Sequence, residues 1–293
     1  MIKTEKLSPL MTMKWEFEGD YFPISRIVLH RLLATDLDAM IHYGYRFEKF
    51  ETLDSGRIRV HFANGQSTEG DFLVGADGVH SAVRKQVFGD SVDPVKFGMD
   101  GVGGKIFLED FEEPLKGVEF LEGGVCMVVG GNGRAMFLAP QIYDEKSKEE
   151  INKLFAGVEG VTHEAQLRPN VAGEEIMSVG TKDQKTLVDD ARDYVFWAYL
   201  TTKSHEDFSG GVKGSVASGK SQKDLVDDVL KQMQKHHWNS DLIDMVMKTD
   251  INTVGFWPLR LSPEIKNFSQ RKPSNLTFIG DSIHASTSHS FLD

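Results

Sequence analysis

The stretch that most constrains this chain is Asp71-Phe72-Leu73-Val74-Gly75-Ala76-Asp77-Gly78-Val79-His80-Ser81-Ala82-Val83-Arg84. Its short apolar run stops at glycine, which reads as a buried strand, and Ser81 reads as the cap of a helix. A carboxylate, Asp77, is thereby expected at the carboxyl end of a strand, the edge at which open α/β sheets bind ligands. Gly78 would let backbone approach a ribose or pyrophosphate there, although an ordinary strand-turn-helix corner carries the same local signature.

The rest of the composition bounds the partners. With 293 residues the chain can bury a large core, as one big domain or two intimate ones. A formal net charge of −11 without any basic run argues against nucleic acid and anionic membrane surfaces. Cys126 is the only cysteine and lies in an apolar run, so it forms no internal disulfide and is expected to be a buried, inert thiol in a reducing compartment. No apolar stretch approaches the ~18 residues of a membrane span, and Met1 to Lys14 lacks a signal-peptide core. The expectation is a cytoplasmic monomer or homodimer without stable membrane insertion.

Along the chain, Thr12 to Phe17 alternates like a strand, and Ser25 is expected to cap a helix whose Val28, Leu29, Leu32, Leu33 and Leu37 form one core-facing stripe. Arg46 to Glu51, Arg57 to Phe62 and Ser67 to Val74 read as a meander. Its turns fall at Asp54-Ser55-Gly56 and Asn64-Gly65, the latter suited to positive φ at both central residues. Beyond Arg84, strands are expected at Gly98 to Leu108, Gly117 to Phe120, Val125 to Val129 and Arg134 to Ala139, with Gly130 to Gly133 as the turn between the last two. Glu145 to Phe155 reads as a helix, Asp193 to Leu200 as the most aromatic strand, and Ser221 to Asp224 as a capping box opening a further helix. Ser240 to Met247 is helical, and Leu276 to Ile279 is a last strand that must return to the first domain to bring Asp281 near Asp77.

The Asp77 stretch resembles the "DG" motif of the class A FAD-dependent monooxygenases, the aromatic hydroxylase family. Two further segments resemble that family in the same order: Tyr21 to Leu33 its Arg-bearing helix, and Asn275 to Ala285, with Gly280-Asp281, its "GD" motif. The resemblance implies a mixed α+β and α/β fold: a remnant of the FAD-binding fold plus a mainly antiparallel β-sheet substrate domain with flanking helices. It implies residues 1–92 as the FAD-domain remnant, 93–265 as the substrate domain and 266–293 as the returning strand and GD segment. Arg26, Asp77 and Asp281 take the places of flavin contacts, now vestigial; Arg26 also reads as a plain surface arginine. The family's strand-Gly-x-Gly-x-x-Gly-helix unit, which holds the FAD pyrophosphate, does not occur in this sequence. Ser288 and Phe291 stand where the family has a proline and a glycine after its GD motif, so the front unit and the tail are expected to be missing and tight FAD binding is not expected.

A pocket is expected on the sheet. On Asp193 to Leu200 the pleat separates Tyr194, Phe196 and Ala198 from Val195, Trp197 and Tyr199, and one of the two faces should line it. Phe256, Trp257 and Arg260 are expected to line it too, with Met136 and Leu138 or Phe137 opposite; core packing is the alternative for each aromatic. His284, Asp281 and Arg260 are the weak catalytic candidates, with Asp77, Asp281 and His284 able to do acid-base work if buried together. His284 and His289 make no metal pair, because a third ligand is lacking. Three functions follow. The leading one is a cofactor-independent enzyme of fungal terpenoid or polyketide biosynthesis that folds a small apolar substrate for cyclisation, isomerisation or a Diels-Alder-type step. The alternatives are an FAD- and NAD(P)H-dependent hydroxylase with weakened flavin binding, and a non-catalytic ligand-binding remnant.

Overall fold

The computed structural model describes residues 2–11, 24–89, 92–110, 124–155, 191–203, 207–208, 220–265, 268–270 and 272–284. The strands expected at Thr12 to Phe17 and Gly117 to Phe120, and His289, lie outside them. In chain order the elements are β1 (Ile2–Thr4), β2 (Pro9–Met11), α1 (Arg26–Leu33), β3 (Phe47–Thr52), β4 (Ile58–Phe62), β5 (Ser67–Gly70), β6 (Leu73–Gly75), α2 (Ala82–Phe88) and β7 (Val95–Phe107). There follow β8 (Cys126–Gly130), β9 (Arg134–Gln141), α3 (Glu145–Phe155), β10 (Tyr194–Thr201), α4 (Gln222–Lys235), α5 (Ser240–Met247), β11 (Asp250–Leu261), β12 (Leu276–Phe278) and α6 (Asp281–His284). The chain divides into two compact units: Met1–Asp36 with Met99–Trp257, and Leu37–Gly98 with Pro258–Asp293.

The first unit is built on a seven-stranded sheet in the order β11-β7-β10-β9-β8-β1-β2. β7, β10, β9 and β8 run antiparallel to one another in turn, whereas β1 joins β8 in parallel. The three-residue β8–β9 turn, Gly131 to Gly133, holds both Asn132 (φ 60°) and Gly133 (φ 74°) in left-handed backbone.

One face of this sheet is core. Val102, Ile106, Cys126, Val128, Met136, Leu138, Val195, Trp197 and Tyr199 are fully buried against Leu225, Val229 and Met233 of α4 and Leu242, Met245 and Val246 of α5. The helices are well started. Ser221 and Asp224 exchange the expected capping-box bonds, and the Asn239 side chain accepts the Asp241 N–H at 2.7 Å. α1 departs from expectation. Only Val28 of its stripe is buried, against Tyr143, Ile151 and Ala191, while Leu29, Leu32 and Leu33 are exposed; Ser25 precedes the helix but makes no side-chain cap bond.

The second unit pairs a three-stranded antiparallel sheet, β3-β4-β5, with a two-stranded parallel one, β12-β6. The single strand expected over Ser67 to Val74 is two strands in two sheets. Asp71 and Phe72 separate β5, which pairs with β4, from β6, which pairs with β12. The Asn64-Gly65 turn is also corrected. Only Gly65 has positive φ, 82°, at the end of a three-residue loop in which Asn64 Oδ1 accepts the Gln66 N–H. Ile58, Val60, Val83, Leu276 and Phe278 form the core of this unit. Gly75 is glycine because Phe278 lies on it: a Cβ there would stand 2.8 Å from the ring.

Candidate functional site

Two places carry chemistry, one in each unit. In the second unit β6 and β12 run parallel in the register Leu73–Leu276, Val74–Thr277 and Gly75–Phe278. The last strand therefore returns to the β6 corner, and the loops bearing Asp77 and Asp281 both leave from the carboxyl end of the pair. Asp77 Oδ2 accepts the Val83 N–H at 3.1 Å and Ser81 Oγ accepts the Arg84 N–H at 2.9 Å, so α2 opens on two side-chain acceptors.

Arg84 ties the loops together. It is fully buried, donating from Nη1 to the Ser282 carbonyl and from Nη2 to the Val79 carbonyl, each at 2.6 Å. Burial lowers its pKa, while the charges of Asp93 and Asp77 act in the opposite direction. The buried Ser282 hydroxyl lies 2.7 Å from both the Gly75 and Ile279 carbonyls, which closes the arrangement. Around this support, Asp77, Asp281 and His284 are exposed, and a Cβ added at Gly78 (φ 79°) or Gly280 (φ 59°) would meet nothing within 4 Å. The shared burial that would have suited Asp77, Asp281 and His284 to acid-base work is therefore absent. What the corner offers is open backbone and two carboxylates on a rigid base. Arg260 is half-buried near the end of β11 in this same unit.

In the first unit the sheet's second face is the candidate ligand surface. Trp197, Tyr199, Met136 and Leu138, expected at a cavity, are instead wholly buried beneath α4 and α5. The Trp197 indole N–H donates to Thr249 Oγ1 at 2.9 Å. The Tyr199 hydroxyl, its pKa raised chiefly by burial, donates to Asp207 Oδ2, beside a buried Arg134–Asp207 ion pair that also receives the Thr201 hydroxyl. Phe256 packs on the same core, 6.0 Å from the Phe208 ring.

The opposite pleat positions are less covered. Phe137 and Phe196 are half-buried and Trp257 is 40% exposed. Their rings form a row across β9, β10 and β11, Phe137 to Phe196 at 6.5 Å and Phe196 to Trp257 at 6.1 Å. Gly103 of β7 leaves room beneath the row: a Cβ there would lie 2.2 Å from the Trp197 carbonyl oxygen and 3.0 Å from the Trp257 ring, while one at Gly101 would lie 3.0 Å from the Leu200 side chain. Gly104, on the other face, leaves room instead for Thr249 and Val254. Tyr194, 5% exposed, continues the face, with Lys105 Nζ 4.1 Å from its ring centre. Arg26 is exposed at the first position of α1 in this unit.

Sequence reasoning missed Arg84, which left a signal: an arginine in the opening turn of a helix that follows a ligand-edge corner.

No family model matches this chain. The FAD-dependent monooxygenase tazP of Aspergillus terreus is 42% identical over 66 residues, 22% of this chain and 16% of that protein. The FAD-dependent monooxygenase thnD of Trichoderma harzianum is 40% identical over 78 residues, 27% of this chain and 18% of that protein. The matched segments span less than a fifth of either relative. Among solved structures, an FAD-containing monooxygenase from Photorhabdus luminescens subsp. laumondii superposes on 98% of this chain with a TM-score of 0.65 at 22% identity, and the match covers 62% of that protein. The mixed fold, a mainly antiparallel sheet with flanking helices, is the fold of that enzyme.

Proposed function

We propose a function for a chain whose curated and structural neighbours alike point to the FAD-dependent monooxygenases of the class A hydroxylase type. It supplies the substrate-holding sheet and the two flavin-side loops of such an oxygenating enzyme, acting on a planar, mainly apolar molecule of fungal terpenoid or polyketide metabolism. The observation that carries this reading is the pairing of β6 with β12, fixed by Arg84, which holds the Asp77 and Asp281 loops at one end of a parallel pair.

The residues present fit part of the cofactor. Asp77, Asp281 and the open backbone at Gly78 and Gly280 suit its polar hydroxyl-bearing portion; no Gly-x-Gly-x-x-Gly cradle for its pyrophosphate occurs in these residues. When bound, FAD would supply the oxygen-activating redox chemistry. The chain's own part is to hold the substrate flat against Phe137, Phe196 and Trp257 and to keep the two loops in register.

A second reading rests on the aromatic row of Phe137, Phe196 and Trp257, which can hold and shape an apolar substrate by itself. In it the aromatic face folds an apolar substrate for cyclisation, isomerisation or a pericyclic step without any cofactor, and Asp77 and Asp281 are vestigial. An absorbance spectrum of the purified protein followed by a fluorescence titration with FAD separates the two. Saturable micromolar binding, with substrate-dependent NAD(P)H oxidation, is the expected result. A colourless protein indifferent to FAD overturns the oxygenase reading and leaves the cofactor-independent one, whose products have the mass of their substrates.

A further inference from the structure

We propose that the open sheet face takes an aromatic nucleus bearing an aliphatic hydrocarbon chain, the nucleus on the aromatic row and the chain laid along Val129 and Leu200. This rests on the reading of that face as the ligand surface. On one face of a strand, side chains recur at every second residue, about 7 Å along it. One such step from Phe137 along β9 is Ala135, whose register partners are Val129 on β8 and Leu200 on β10. The aromatic row is thus followed, toward the β8–β9 turn, by a row that is wholly aliphatic.

Exposure gives the chain its direction. The face is closed at the opposite end, where Tyr194 is 5% exposed, and open here, where Val129 is 41% exposed and Ala135 and Leu200 are half-buried. The two rows also adjoin. Leu200 is the register partner of Gly101 on β7, and a Cβ on that glycine would stand 3.0 Å from the Leu200 side chain and 3.6 Å from the Trp257 ring, so both side chains border the same bare backbone. Val129, Ala135 and Leu200 carry no hydrogen-bonding side chain, and β9 is laddered on both sides. A polar chain would lose hydration there without a new partner, whereas methylenes gain by burial. Ring-on-ring packing keeps the flat nucleus on Phe137, Phe196 and Trp257.

The test is a calorimetric titration of the full chain with 4-ethylphenol, 4-pentylphenol and 4-(3-methoxypropyl)phenol, whose chain matches pentyl in length. The wild type should bind the pentyl compound about tenfold more tightly than the ethyl one, because the added methylenes are partly buried, and should bind the ether no better than the ethyl compound. Val129→Thr combined with Leu200→Ala should cut the pentyl advantage to about threefold or less while leaving the affinity for 4-ethylphenol in place. Trp257→Ala should instead weaken binding of every phenol alike. Thermal melts check that the variants fold, and Val129→Thr alone, which keeps the branched shape at an exposed position, should narrow the advantage too. An undiminished pentyl advantage in the folded variants, or a wild type that does not distinguish pentyl from ethyl, overturns the aliphatic row but not the aromatic one. Failure of the wild type to bind any of these phenols overturns the face itself, and the proposal with it.

Discussion

Arg84 shows how much one buried charge can organise. A guanidinium taken out of water is costly unless its N–H groups are used; here Nη1 and Nη2 donate to carbonyls from both ligand-edge loops, Ser282 after β12 and Val79 after β6, while Nε is buried without a partner among the described residues. Arg84→Met leaves both carbonyls unpaired inside the fold, and the expected loss is about 3 kcal/mol of stability in a denaturant titration. Arg84→Lys keeps the charge but cannot span two carbonyls with a rigid fork, so it should recover only part of that loss. Gly75→Ala probes the same joint sterically. Its new Cβ would sit 2.8 Å from the Phe278 ring, and about 1–3 kcal/mol should be lost to overpacking. A variant as stable as the wild type would mean that β6 and β12 are not pressed together as described.

At the scale of elements, the sheet's two faces divide the aromatics by task. Trp197→Ala empties a fully buried site and orphans the Thr249 contact, so about 3–5 kcal/mol of stability should go. Trp257→Ala removes a ring that is 40% exposed and should cost about 1 kcal/mol, yet it should weaken aromatic ligand binding severalfold. Melts and titrations on the two variants check the division. The strand carrying Trp197 was legible in the sequence, because the run Tyr194 to Thr201 is β-branched, aromatic or small at every position but Leu200 and leaves little alternative. Which face is core was not legible. Tyr194 and Phe196 are as apolar as Val195 and Trp197, so the pleat alternates between equivalent sets, and only the positions of α4 and α5 break the tie. The corner was legible for the opposite reason, since Gly75, Asp77 and Ser81 each have one local job. Arg84 escaped because Ser282, the partner that ties it to the second loop, lies almost two hundred residues away in the chain.

The end of α4 adds a pH dependence. His236 Nε2 is buried without a hydrogen-bond partner among the described residues, and burial first, then the charges of Arg134 and Lys235, push its pKa below the usual 6.5. The folded chain therefore binds this proton less readily than the unfolded one. Its contribution to stability is present above pH 6.5 and is lost as pH falls toward the lowered folded value. Melting temperatures taken from pH 7.5 down to 5 should decline, and His236→Gln should flatten the decline. An identical slope in the variant would assign it to other groups.

For the whole molecule, the question is how much apolar surface the described residues leave uncovered. Parallel strands are stable when both faces are buried, and the β6–β12 pair is apolar apart from Thr277. One face, with Leu276 and Phe278, is core; Phe72, Val74 and Ile279 around the other are 57%, 46% and 57% exposed. Leu29, Leu32 and Leu33 of α1 add a second apolar surface, 36%, 53% and 67% exposed. Contiguous exposure of this kind drives association, and a net charge of −11 opposes it only at low salt. The chain alone should thus self-associate as salt rises, with sedimentation velocity as the measure. Val74→Lys combined with Ile279→Lys should suppress that association while leaving the melting temperature nearly unchanged, because neither side chain belongs to a core cluster. A double variant that melts early would show that the face is packed after all, and one that still associates would shift the cause to the α1 surface.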